Sequence, residues 1–575
     1  MNKTPQWLNL IIFSISISFG FLVIIPMLEI NWNWFDLELF DSEGERVYAD
    51  LVIENSRIWT GNSYQPWAES MAIINDTIAA IGDANDIDDL INSNTQVIDG
   101  IGTMVTPGFI DSHVHFLELG MTLSSVQLRD ADTKEEFIKR IADYASKLKS
   151  GEWILGGTWD HENWGGELPT RDWIDSISAD NPVWIQRLDG HMGLANSVAL
   201  QQAGIYGGVE EVEGGSIVRD TRDSLTGIFK DNAMVLINQA VPEPSIYDKV
   251  DILRTAMDHV AANGVTSVIH VDGEIEVFET ARKMNILRTR IYAATPLSQW
   301  ESLKARIDTA GYGDELLKIG ALKAFVDGSL GSHTAAFFDP YDDAPEDRGL
   351  MLTSPDSLYR WISEADQAGL HMMIHAIGDS AINTLLNIYE RVIAENGPRD
   401  RRLKIEHAQH ISRRDIARFS DLRVIASMQP YHAIDDGRWA EKLIGPERIK
   451  TTYAFRSLMD AGALVTFGSD APVAPPSPLL GIYAAATRQT LDGANPKGWV
   501  PRQKISVEEA LYAYTGAGAY SSYSLQEKGT LEVGKLADFV VIDRDITRIK
   551  PEEIKDAKVL FTYLGGNRIY HAEID

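Results

Sequence analysis

In TPGFIDSHVHF, residues 106–116, His113 and His115 stand one residue apart at the end of an apolar run. Residues i and i+2 of a strand share a face, so both imidazoles can converge on one point. Other apolar runs end on groups of matching chemistry: Lys323 in ALKAFVDG, His375 in MMIHAIGD, Glu406-His407 in LKIEHAQH and Asp470 in TFGSDAPV. Neutral imidazoles and a carboxylate are the ligands a divalent first-row metal takes. Each residue alone also has a plain structural reading. The histidines could be core side chains satisfied by backbone carbonyls, Lys323 could pair with Asp327, and Asp470 could cap the turn after it. The chain has no cysteine, which excludes disulfides, thiolate metal sites and a cysteine nucleophile.

These groups can act together only if their strand ends share one rim. Eight strand-like runs occur in order: MVTPGFIDSH, GVTSVIHV, RTRIYAAT, LKIGALKAFVDG, LHMMIHAIGD, RLKIEHAQH, LRVIASMQP and ALVTFGSD. Most are separated by amphipathic segments such as SAINTLLNIYERVIAENG. That alternation predicts an α/β fold, a parallel (β/α)8 TIM-like barrel over residues 106–490 with its chemistry at the C-terminal strand ends. The first connection, residues 117–245, is too long for a plain crossover and predicts a folded insert over the barrel mouth. Its tryptophans (Trp153, Trp159, Trp164, Trp173, Trp184) read as its core more readily than as a ligand platform. Short strand-and-turn segments at 47–105 and 525–575 predict a small β-sandwich built from both ends.

Residues 7–28 carry no charge and are long enough to cross ~30 Å of hydrocarbon as a helix. Lys3 precedes them, and Glu29, Asp36 and Glu38 follow. The expectation is an N-terminal transmembrane helix within residues 1–30, anchoring an extracytoplasmic (periplasmic or extracellular) body. A cleaved signal peptide is the alternative.

The motifs TPGFIDSHVHF, RLDGHMGLANSVAL, LKAFVDGSLGSHTAA, HAIGDSAI, IEHAQHISRRD, SMQPYH, GSDAPV and GTLEVGKLADFVVID occur in this order. Together they resemble the amidohydrolase superfamily, in the YtcJ-like branch (amidohydrolase family 3) that includes the N-substituted formamide deformylases. The resemblance covers almost everything after residue 30. It implies His113, His115 and Asp470 as ligands of the more buried metal, and His375 and His407 as ligands of a second. Lys323 would react with carbon dioxide to give a carbamate bridging both. Two zinc ions are the implied cofactors, with manganese, iron or nickel as alternatives. Two metals would lower the pKa of a shared water and supply a hydroxide nucleophile. Asp470 would take its proton and pass it to the departing amine. The resemblance also implies Asp189 and His191 as substrate contacts. Gln429 and His432, after the seventh strand, are further candidates. The branch usually has arginine where this chain has His333.

The expected activity is metal-dependent hydrolysis of a non-peptide carbon–nitrogen (amide) bond. The same apparatus would serve an ester, lactone or cyclic amide. A non-catalytic binding or regulatory protein could also keep the fold, but an intact ligand set argues against that. The formal charge of −31, from 52 Lys plus Arg against 83 Asp plus Glu, repels nucleic acid and anionic headgroups. The expected partner is therefore a small-molecule substrate, with the membrane met through the N-terminal helix; a homodimer stays open. His270 ends the second strand and could face the cavity without being a ligand, while His371 reads as a core residue.

Overall fold

A computed structural model describes residues 47–187, 192–207, 209–212 and 215–573. The compact unit begins at Tyr48. Eight parallel strands form its centre: β1 Phe109–Val114, β2 Val265–His270, β3 Arg290–Pro296, β4 Leu317–Phe325, β5 His371–Ala376, β6 Lys404–His407, β7 Ile425–Met428 and β8 Val465–Phe467. Their hydrogen-bonded order follows the chain from β1 to β8. This is the expected barrel. β2, β5, β6 and β7 are buried along their whole length, because helices cover the outside and side chains fill the inside. Ile269, Tyr292, Ala294, Ala321 and Met373 pack into one cluster. A larger one joins the strand residues Val268, Ile291, Leu322 and Ile374 to the helix residues Leu253, Phe278, Leu358 and Leu385.

The helix Ile246–Ala262 shows how sequence sets these elements. A capping box starts it: Ser245 Oγ accepts from Asp248 N at 3.2 Å, and Asp248 Oδ2 accepts from Ser245 N at 2.9 Å. Val250, Leu253, Met257 and Val260 recur at helical spacing and are buried. Asn263 and Gly264, the latter with φ +80°, end it and turn the chain into β2.

The run MVTPGFIDSH divides between two sheets, where a single strand was expected. Met104–Pro107 pairs antiparallel with Phe539–Ile542 in an outer sheet, and β1 starts only at Phe109. The switch is at Gly108, whose N–H donates to Asp538 O at 2.8 Å while Phe109 N donates to Gly264 O at 3.1 Å. A Cβ on Gly108 would lie 2.2 Å from Thr266 Oγ1, so no larger residue fits between the layers. The outer sheet has the order Asn567–His571, Val559–Leu564, Phe539–Ile542, Met104–Pro107, Arg57–Trp59, Trp67–Ala68. A four-stranded sheet of Thr77–Gly82, Ser70–Ile74, Leu51–Glu54 and Gln96–Asp99 accompanies it. Ile53, Met71 and Ile73 from the four-stranded sheet pack with Val105, Phe539 and Val541 from the outer one. The buried pair of Arg290 on β3 and Asp538, at 2.7 and 2.9 Å, ties this layer to the barrel.

Between β1 and β2 lies a six-stranded sheet in the order Gly215–Arg219, Leu225–Asp231, Met192–Ala195, Val183–Arg187, Ile154–Trp159, Val126–Gln127. Tryptophans build its two cores. Trp159 is buried with Phe137 and Ile174, with Trp164 and Trp173 against them, and Trp184 packs with Leu200 and Phe229. Among the described residues no helix is long and apolar enough to cross a membrane. This corrects the expectation of a transmembrane anchor and of the extracytoplasmic placement built on it. Residues 7–28, which prompted that expectation, lie outside the described residues.

Candidate metal centre

The seam between β8 and β1 is closed just beyond β8, where Asp470 N donates to His113 O at 2.8 Å and His115 N donates to Ala471 O at 3.0 Å. The groups expected to ligate are therefore brought together by the bonds that shut the barrel. Asp111, buried on β1, accepts from His113 N and Ser469 N at 3.2 and 2.9 Å. Gly468 has no room for a side chain: a Cβ there would lie 2.5 Å from His113 N. Asp470 and His407 both sit in the left-handed region, with φ +62° and +69°, conformations that cost energy and gather at functional sites.

Asp470 Oδ1 lies 3.2 Å from His113 Nε2 and 3.1 Å from His115 Nε2, yet this buried oxygen makes no aligned hydrogen bond. Ligand atoms of His113, His407 and Asp470 all fall within 4.8 Å of one another. The His407 ring centroid is 4.8 Å from that of His113 and 4.5 Å from that of His375. Lys323, buried on β4, places Nζ 3.4 Å from His113 Nε2. Asp327, its alternative partner, accepts instead from the backbone N–H groups of Ala336, Ile377 and Gly378 at 2.8, 3.0 and 2.8 Å. All six residues expected at the centre therefore meet at one end of the barrel.

Each histidine has one nitrogen held from outside the cluster. His113 Nδ1 is 2.6 Å from Glu406 Oε2, His115 Nδ1 is 2.7 Å from Asp272 Oδ1, and His407 Nδ1 is 2.9 Å from Gln429 Oε1. His375 Nε2 is 3.1 Å from Gly328 O. Such contacts orient a ring and leave its other nitrogen free to ligate. Asp272 and Glu406 were not expected in this role. Their signal was an acid two residues past a strand-ending histidine in VIHVDG, and an acid beside His407 in IEH. Gln429, a candidate for either substrate contact or a structural role, is fully buried with Oε1 against His407 Nδ1. His432 stays near the centre, with Nε2 3.9 Å from Asp470 Oδ2 and without a hydrogen-bond partner. Asp189 and His191 lie outside the described residues. His270 is buried and accepts from Phe116 N at 3.1 Å through Nδ1. His371 is a core residue bonded to Tyr292 Oη and Arg402 O at 3.1 and 2.8 Å. His333 meets Asp343 at 3.0 Å, and its ring lies tilted against Tyr341 with centroids 4.5 Å apart.

Burial and charge fix the protonation states. Burial pushes His375 down to about 3, helped by Lys323, and holds His407 well below its ordinary value, helped by His375. Burial opposes ionisation of Asp470, but the imidazoles of His113 and His115 outweigh it and hold the carboxyl well below its usual range. For His115 burial again opposes the charged form, and Asp272 and Asp470 overcome it, raising the imidazole to about 9. Burial lowers Lys323 against the pull of Glu406 and Asp470. His375 and His407 are thus held neutral and Asp470 ionised, with one proton on His115 to be displaced.

The sequence profile described as "Amidohydrolase family" matches residues 96–570. The chain is 39% identical over 546 residues, 91% of this chain and 92% of the relative, to Protein LONG AFTER FAR-RED 3 of Arabidopsis thaliana. It is 28% identical over 536 residues, 90% of this chain and 97% of the relative, to N-substituted formamide deformylase of Arthrobacter pascens. A solved structure, an uncharacterized metal-dependent hydrolase from Pyrococcus furiosus, is similar with a TM-score of 0.72 and 27% identity, covering 87% of this chain and 100% of that one. These findings bear out the resemblance read from the motifs.

Proposed function

This chain belongs to the amidohydrolase family, and we propose that it hydrolyses a carbon–nitrogen bond other than a peptide bond in a small-molecule amide. One observation carries the reading. His113 and His115, their Nδ1 atoms fixed by acids, turn Nε2 toward the same unbonded oxygen of Asp470. A buried carboxylate oxygen facing two imidazoles without an aligned hydrogen bond is what a divalent metal would satisfy. The residues present therefore fit the metal centre that the family implies.

His113, His115 and Asp470 would hold one ion, and His375 and His407 a second. Lys323 would join them as a carbamate, formed when its neutral amine adds carbon dioxide and releases a proton. Burial favours that neutral amine. A bound metal would supply a water of lowered pKa and polarise the amide carbonyl. Asp470 would accept the proton of the attacking water and return it to the departing amine nitrogen, which leaves poorly as an anion. His432, with an unbonded nitrogen near Asp470 Oδ2, would contact the substrate. The formamide deformylase among the relatives makes N-formyl amines the substrates to try first.

The test combines metal analysis with a screen. Protein reconstituted with zinc or manganese in bicarbonate should hold at least one equivalent of metal and cleave an N-acyl or N-formyl amine. Less than one equivalent would sink the reading.

A further inference from the structure

Below the ligands, inside the barrel, His113 on β1 meets Lys404 and Glu406 on β6. All three are fully buried. Glu406 Oε2 lies 2.6 Å from His113 Nδ1. Glu406 Oε1 faces Lys404 Nζ at 3.0 Å, an ion pair without an aligned hydrogen bond. Lys404 Nζ also donates to Ser112 O at 3.0 Å, the carbonyl just before His113. The carboxylate thus has the imidazole on one oxygen and a cation beside the other, and the ammonium holds both the acid and the backbone leading into His113.

We infer that Glu406 and Lys404 are a positioning pair that decides which nitrogen of His113 is offered to metal. The inference rests on the metal centre proposed above. A neutral imidazole has one N–H and one lone pair. With Glu406 accepting at Nδ1, the proton stays there and the lone pair is at Nε2, facing Asp470. Lys404 compensates the acid's charge, since a lone buried carboxylate is costly.

Only a carboxylate meets both neighbours, because both need an acceptor. Glutamine has the same shape but a single acceptor oxygen. Its NH2 group is repelled by the Lys404 ammonium, so the amide oxygen turns to Lys404 and the NH2 to His113 Nδ1. That nitrogen must then accept, and the imidazole proton moves to Nε2, where it blocks ligation. If Lys404 is neutralised as well, the amide oxygen is free to turn back to His113. A second substitution is therefore expected to restore what the first removes, which a merely space-filling role does not produce.

The experiment compares wild type, Glu406→Gln and the double variant Lys404→Met with Glu406→Gln. Zinc is titrated against a chromophoric chelator, and thermal unfolding is followed on the metal-free proteins. Glu406→Gln is expected to bind zinc roughly 10- to 100-fold more weakly, and the double variant to recover most of that loss. Wild-type affinity in Glu406→Gln would overturn the inference. So would a double variant that unfolds like wild type but binds no better than the single one. Should either variant fail to fold, the proton NMR spectrum of metal-free wild type decides. A proton at Nδ1 held by a carboxylate should resonate well downfield of the amides and be absent from His113→Asn, and its absence from wild type overturns the inference. A wild type that binds no zinc but shows this resonance would defeat the proposed metal centre, while the hold on His113 stands.

Discussion

Metal uptake should be coupled to release of a proton from His115. This imidazole has an ordinary value of 6.5 and is raised to about 9: burial pulls it down, but the carboxylates of Asp272 and Asp470 more than offset that. Zinc cannot bind a protonated imidazole, so apparent affinity falls about tenfold for each pH unit below 9. At pH 7 the two-unit gap corresponds to roughly 100-fold, or ~2.7 kcal/mol. His375 and His407 are pushed far enough down by burial to be neutral there and add no slope. Calorimetric zinc titrations in two buffers of different ionisation heat count the protons directly. In buffer freed of carbon dioxide, so that Lys323 carbamylation adds no proton, affinity should rise about tenfold from pH 7 to 8 with close to one proton released, and flatten above 9. Asp272→Asn removes the leading partner that raises His115, so its plateau should begin at lower pH. Affinity independent of pH between 7 and 9 in wild type, with no proton released, would refute the reasoning.

The same group makes metal-free stability depend on pH. Because His115 is raised on folding, its contribution is full below 6.5 and is lost as pH rises through about 9; urea midpoints of the metal-free protein should fall across that window, and by less in Asp272→Asn. Asp470→Asn should lower turnover by about 10²- to 10⁴-fold while dialysis shows metal largely retained, and full activity would contradict its role. Asp538→Asn would strand the buried Arg290 guanidinium and should cost about 3–5 kcal/mol in urea unfolding. Gly468→Ala would press a Cβ to 2.5 Å from His113 N; destabilisation of roughly 1–3 kcal/mol with weaker zinc binding is expected, and an unchanged midpoint would count against the tight seam.

How much of this was legible beforehand differs from residue to residue. The eight barrel strands could be read because parallel strands buried on both faces are short apolar runs, and Val265–His270 or His371–Ala376 look the same on paper as in space. The centre was legible in part, since His113, His115, Lys323, His375, His407 and Asp470 have the residue types and strand-end places that ligation needs. Gln429 shows the limit. A polar residue after a strand can face the cavity or a neighbour, and nothing local distinguishes the two; only the packing of β6 against β7 set it on His407.

By itself, then, the sequence determined the barrel and the kinds of candidate ligand, because both follow from local periodicity and side-chain chemistry. Tertiary structure alone decided what each candidate ligand leans on. Glu406 reaches His113 from 293 residues away and Asp272 reaches His115 from 157. It also decided that MVTPGFIDSH serves two sheets, through the crowding of Gly108 by Thr266. Which nitrogen of a histidine is free is set by a contact with a distant strand, and the order of residues along the chain does not record it.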